Sequence, residues 1–266
     1  MGGYDDGGDF GDPWGGVDVE FITGSRVVSS VDREIDFSRT NANITNSSGA
    51  LLFSTNGAYL ANATGEQMLN GGGLNPSWYT SEYPYGLHGP QNVLVLPKPG
   101  SPGIFYLIHG TLDNPAAPPA PFSAYYLYLT TVDMSLDGGL GGVVSKNQVL
   151  LHDTLNVGKI TAVRHANGRD WWVFCHKWGT NAYKRLLVTP EGISVDGSQS
   201  IGVVRVADAG QVCFSPDGSR FAYFYAGPSG LEIFDFDRCT GLFSNPLHIP
   251  IVATGGACGV AFSPNS

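Results

Sequence analysis

Charge is scarce in this chain, and positive charge scarcest. Only 14% of the 266 residues are Asp, Glu, Lys or Arg, and 14 basic residues against 23 acidic ones give a formal net charge of −9. No run of five Lys or Arg occurs. Phosphate backbones are bound by basic faces, so nucleic acid is excluded as a partner. The acidic excess favours solubility first and cation binding second. Cysteine is also sparse: Cys175, Cys213, Cys239 and Cys258 contain no C-x-x-C pair, which excludes a zinc ribbon or a thioredoxin-like motif. They read as small buried apolar residues, with a disulfide of unreadable pairing left open for an oxidising compartment.

Long apolar runs are missing, and nothing approaches the roughly 18 residues that span a bilayer. The opening M-G-G-Y-D-D-G-G-D-F-G-D has neither a basic nor an apolar region, so it is not a signal peptide. Its Asp5, Asp6, Asp9 and Asp12 lack the EF-hand spacing. There is no G-x-S-x-G elbow and no G-x-x-x-x-G-K loop. The glycine runs at 71–73 and 138–142 sit at turns without the strand–turn–helix setting of a phosphate loop. A sustained 3.6-residue period is absent as well, so helix content is expected to be small.

What the chain does have is glycine (37 residues) and aromatic residues (12%), the mixture of short strands, tight turns and well-filled inter-sheet spaces. One unit recurs: an apolar strand, a Gly or Pro turn, then a second apolar strand. Its clearest copy is Q-V-C-F-S-P-D-G at 211–218 followed by R-F-A-Y-F-Y at 220–225. The Asp-Gly pair supplies the positive backbone angles of a tight hairpin. Further copies run through Gly49, Gly100 and Gly168, and V-A-F-S-P-N-S at 260–266 repeats the F-S-P. The turn glycines at 49, 100, 168 and 218 are 51, 68 and 50 residues apart, the long interval holding a Pro-rich insertion at 113–122. A second series half a period away passes through Gly24, Gly65, Gly138, Gly192 and Gly241.

Two hairpins per repeat make a four-stranded blade. The expectation is therefore an all-β propeller of about five blades, the last one incomplete. A flexible Gly/Asp-rich segment at 1–13 precedes it. Blade units follow at 14–36 (closing strands C and D), 37–86, 87–156, 157–206, 207–254 and 255–266 (strand A alone). Sharing one blade between both ends would hide sheet edges, while the end in F-S-P-N-S favours a fragment of a larger propeller. A β-sandwich also spaces its turns regularly, but gives no reason to repeat F-S-P at 214 and 262.

The motifs S-S-G-A-L-L-F-S-T-N-G (47–57), L-V-L-P-K-P-G (94–100) and V-D-M-S-L-D-G-G-L-G (132–141) carry a resemblance. It continues through T-A-V-R-H-A-N-G-R-D-W-W-V (161–173), F-S-P-D-G-S (214–219) and F-D-F-D-R-C-T-G (234–241). With these the chain resembles the WD-repeat-like propeller region of large secreted Bacteroidetes-type proteins, which carry adhesion or gliding-motility modules and a C-terminal sorting signal. The resemblance implies fold and a secreted or cell-surface location, and no catalytic set.

In a propeller, strand A starts at the face bearing the D–A and B–C loops, and ligands sit there around the channel. His88, His109 and His176 are expected toward that face and make a candidate divalent-metal set, zinc among the options. No cofactor is otherwise expected. The loop residues Trp78, Tyr79, Tyr83, Tyr85 and Trp178, with His88 and His109, form the candidate ligand-binding group. His165, beside a tight turn, reads as structural, and Asp133, Asp137, Asp235 and Asp237 as solvated carboxylates. The reading favoured is a non-catalytic binding or scaffold propeller recognising a protein or glycan. The alternative is a propeller hydrolase, lactonase-like or glycan-cleaving, with a metal at the channel mouth.

Overall fold

Glycines of both turn series adopt positive φ, from 63° at Gly138 to 141° at Gly192, the region that side-chain-bearing residues avoid. Short polar side chains lock the same turns. The Asp217 carboxylate accepts the Ser219 N–H at 2.9 Å, Asp237 that of Cys239 at 2.8 Å and Asp133 that of Ser135 at 2.8 Å. The Ser215 hydroxyl at Asp217, the Ser135 hydroxyl at Asp133 and the Cys239 N–H at Asp237 lead the hydrogen bonds that hold all three carboxyls below their usual range. They are turn formers, as solvated carboxylates at strand ends should be.

The computed structural model describes residues 16–22, 24–31, 34–113, 123–205, 210–225, 230–251 and 259–266. Their architecture is all-β, arranged as antiparallel blades. The first blade has three strands, β3 (Ala42–Thr45), β4 (Leu51–Thr55) and β5 (Leu60–Asn62). The second has β6 (Val93–Pro97), β7 (Ile104–Gly110), β8 (Ala124–Asp133) and β9 (Gly142–Leu155). The third has β10 (Thr161–Arg164), β11 (Trp171–His176), β12 (Thr180–Thr189) and β13 (Gly192–Arg205). The fourth has β14 (Gln211–Phe214), β15 (Arg220–Phe224), β16 (Leu231–Asp237) and β17 (Leu242–Ile249). Within each sheet the strands pair in chain order.

The blade number corrects the sequence reading: four blades are described, not about five. Among the described residues the hairpin β1 (Gly16–Ile22) with β2 (Ser25–Val31) pairs only with itself and does not complete a closing blade. Residues 259–266 form no strand, although Val260 N–H donates to Gln211 Oε1 at 3.0 Å and so lies beside the start of β14. Residues 1–13, Cys258 and all but the first residue of the 113–122 insertion lie outside the described residues. The one α-helix described is the single turn α1 (Trp78–Glu82), in the connection from the first blade to the second. No helix among the described residues is long and apolar enough to cross a membrane.

Each blade interface has its own core. Phe53 and Leu60 of the first blade meet Phe105, Leu107 and Val132 of the second. Between second and third blades the filling is aliphatic, with Ile108, Leu127 and Leu129 against Val173, Leu186 and Val188. Between third and fourth it is aromatic: Trp172, Phe174 and Tyr183 pack on Phe221, Tyr223, Phe234 and Phe243. Ring pairs there lie at 4.7 Å (Phe174–Phe243) and 5.5 Å (Phe174–Phe236), the latter edge-to-face at 88°. Cys175 belongs to the aliphatic core, and burial pushes its thiol up to about 12. Among the described residues Cys175, Cys213 and Cys239 are free thiols.

Glutamine side chains tie blades together by imitating a peptide group. Gln199 of β13 gives Nε2–H to the Phe243 carbonyl at 2.7 Å and takes the Phe243 N–H at 2.9 Å. Gln91 does the same to Val212 of β14, at 2.9 and 2.8 Å, reaching from the second blade to the fourth. That second bridge shows that the innermost strands converge on one axis.

Candidate functional site

The residues that open the innermost strands gather around a cleft of about 500 Å³. Arg39 and Asn41 enter β3, Pro90 and Gln91 enter β6, Ile160 and Thr161 open β10, and Gly210 and Gln211 open β14. This is the end of the blades that bears the D–A loops. A second space of about 490 Å³ shares Gln91, Thr161 and Gln211 with the first and runs down between β10 and β14 to the turn at Pro216–Gly218. Arg164 stacks on the Trp171 ring there, 3.9 Å from its centroid.

Local structure fixes this mouth firmly. Gly158, at φ 72°, lets the chain entering β10 pass against the Pro90 carbonyl. Its N–H donates to Asn92 Oδ1 at 3.1 Å, and Asn92 Nδ2 donates to the Gly110 carbonyl at 2.6 Å. Thr40 Oγ1 donates to the Gly89 carbonyl at 2.5 Å, and the Arg39 and Thr40 N–H groups both turn to the Leu87 carbonyl. The two loops carrying Arg39 and His88 are thereby clamped side by side. His88 Nδ1 lies 2.9 Å from Ser38 Oγ and the ring is exposed. Partial burial and then the Arg39 charge push its pKa below the ordinary value, so the ring is neutral at pH 7. Arg39 is exposed, and none of the described carboxylates forms an ion pair with it. The cleft thus offers a guanidinium with no ion pair among the described residues and several amide groups, and the loop clamped beside Arg39 adds the His88 imidazole.

No model of a known protein family matches this chain, and no curated protein matches it. Solved structures do. One is a functionally unknown protein from Desulfotomaculum acetoxidans, with TM-score 0.45 and 12% identity over 90% of this chain and 64% of that one. Another is a periplasmic gluconolactonase from Pseudomonas aeruginosa, with TM-score 0.42 and 12% identity over 79% of this chain and 53% of that one. A third is a putative 6-phosphogluconolactonase from Bacteroides fragilis, with TM-score 0.42 and 12% identity over 91% and 78%. The chain spans less than two thirds of the length of the first two. At these scores the likeness carries neither substrate nor mechanism. The secreted WD-like class that the motifs resemble is not among these matches.

The three histidines expected to share a metal are built into different surroundings. Among the described residues no group of three or more His, Cys, Asp and Glu side chains is placed to hold a metal ion. His109 is fully buried, its Nδ1 2.7 Å from Asn75 Oδ1 and its Nε2 2.9 Å from Thr130 Oγ1, so both ring nitrogens are taken. His176 is sealed between the third and fourth blades and accepts Asn156 Nδ2–H at 2.8 Å. Burial pushes the pKa of both rings down to about 3, with the Arg205 and Lys159 charges adding at His176. Only His88 of the three is open to solvent. As expected, His165 caps its turn, Nδ1 accepting the Asn167 N–H at 3.0 Å.

The aromatic candidates divide as well. Trp78, Tyr79 and Tyr83 form one ring cluster on α1, with centroids 6.2, 6.3 and 4.8 Å apart. The Ser77 capping box starts that turn. Tyr79 packs inward on Leu87, Leu112 and Val157, while Trp78, Tyr83 and Tyr85 remain exposed. They lie on the same connection as His88. Trp178 is half-buried in the β11–β12 turn of the third blade.

Arg39, Asn41, Gln91, Thr161 and Gln211 were missed from sequence. The signal available was positional: each lies at or just before the first residue of an innermost strand, the face where ligands were expected.

Proposed function

We propose that the chain is a propeller hydrolase of lactonase-like kind, acting on a small polar ester or lactone at the axial cleft. The observation that carries this reading is the clamping of the loop that bears the neutral, exposed His88 against the loop whose Arg39 lines the cleft. A neutral imidazole can take a proton from water as that water attacks the ester carbonyl carbon, and Arg39 can stabilise the oxyanion that forms. When the carbon–oxygen bond of the ring breaks, the leaving alkoxide takes the proton back from the imidazolium, and the product is a hydroxy acid. Arg39 also matches the carboxylate so produced.

The test is hydrolysis of a panel of sugar lactones, followed by proton release, in wild type, His88→Ala and Arg39→Ala. General-base contributions of about 10²–10⁴ set the loss in kcat/KM expected for His88→Ala. Wild-type rates no faster than buffer, or variants as fast as wild type, would remove this reading.

A second reading is favoured by the ring cluster of Trp78, Tyr79 and Tyr83: a secreted or surface module gripping a glycan or protein. It predicts saturable binding on a glycan array that Trp78→Ala and Tyr83→Ala abolish while lactone hydrolysis is unchanged.

A further inference from the structure

A second polar set is sealed between the third and fourth blades, away from the cleft. Arg205 and Glu232 are each 1% exposed, as is His176. Arg205 Nη2 donates to Glu232 Oε2 at 2.8 Å, and Glu232 Oε1 accepts the Val203 N–H at 2.9 Å. The guanidinium lies over the Tyr223 ring at 4.0 Å, and the His176 ring lies 5.5 Å from the same tyrosine.

This arrangement leaves donors without acceptors. Among the described residues, Arg205 Nε and Nη1 are buried with no hydrogen-bond partner, and so is His176 Nε2. Because Asn156 Nδ2–H points at His176 Nδ1, that nitrogen accepts and the ring proton resides on Nε2. Arg205 is near enough for its charge to be felt at the His176 ring. Buried N–H groups are ordinarily satisfied, and three orphan donors around one tyrosine ring are an exception that calls for an acceptor. Water brings both donors and acceptors. A small anion brings acceptor capacity alone, which is what the N–H groups left over by the charge-balanced Arg205–Glu232 pair lack.

We propose that these donors hold a halide-sized anion, bound by Arg205 Nε–H and Nη1–H and by His176 Nε2–H. It is a structural site that pins β13 to β16 and the end of β11, independent of chemistry at the cleft. The low exposure of Arg205, Glu232 and His176 makes exchange with solvent slow.

The experiment uses the full chain in buffers of constant ionic strength in which bromide or chloride replaces isethionate, an anion too large to enter. The melting temperature is expected to rise and saturate with halide, and Arg205→Met to remove the dependence. Crystals grown in bromide are expected to show an anomalous peak within hydrogen-bond reach of Arg205 Nε. Equal melting temperatures in halide and isethionate overturn the proposal, and so does water at that position in saturating bromide. If Arg205→Met does not fold, the wild-type titration and the bromide crystal decide.

Discussion

His109 shows how a side chain's meaning changes with its surroundings. From sequence it ends an apolar strand at the loop face, which is where a ligand is looked for. In the fold it is shut between Asn75 and Thr130, partners 34 and 21 residues away that no local pattern connects to it. Residue type and strand position were legible; the seal was not, because it is made by side chains from the connection between blades and from another strand. The consequence is a pH dependence of stability. His109 and His176 titrate near 6.5 when unfolded and near 3 when folded. The unfolded chain therefore binds the extra protons, so the stability these groups confer is whole above pH 6.5 and lost as pH falls from 6.5 toward 3. Melting temperature measured from pH 7.5 to 4.5 should fall, and His109→Gln should flatten that slope. An unchanged slope in the variant would falsify the buried-neutral assignment.

At the scale of the element, hairpins were readable because their turns obey local rules. The positive φ of Gly168 and Gly218 and the Asx contact at Asp217 follow from residues within four positions of one another. The axial cleft obeys no such rule. Its residues are single polar positions at strand starts, and what unites them is the convergence of inner strands rather than any spacing. Gln91 makes this testable. Gln91→Leu removes both hydrogen bonds to Val212 and leaves that peptide group less satisfied, at an expected cost of about 1–3 kcal/mol in chemical denaturation. Gly158→Ala is expected to cost about 2–4 kcal/mol. Its Cβ would meet the Pro90 carbonyl, a backbone atom that cannot rotate away, at a φ of 72°. Both changes should also weaken whatever binds in the cleft, since both positions shape its mouth. A cleft ligand bound equally well by both variants would separate stability from site geometry.

For the whole molecule, the repeat read from the turn glycines correctly implies stacked four-stranded sheets, while the blade count does not follow from it. Strand-like runs at 17–21 and 26–31 form a hairpin, but pairing beyond that depends on a neighbour, and none of the described residues supplies one to its sheet. Stability in such an array is a sum over interfaces, each with its own core. The aromatic interface between third and fourth blades holds Phe174 at its centre, 2% exposed and in contact with Phe214, Phe236 and Phe243. Phe174→Ala should cost about 3–5 kcal/mol. Hydrogen exchange read blade by blade should then show where the loss is felt. In wild type, β1 and β2 are expected to exchange first, with Phe21 85% exposed and one paired edge each. β7, β11 and β15, paired on both sides and covered by neighbouring blades, should exchange last. In Phe174→Ala, protection should drop in β11 and β15 while β4 and β7 keep most of theirs. A uniform drop across all four blades would show instead that the array unfolds as one cooperative unit.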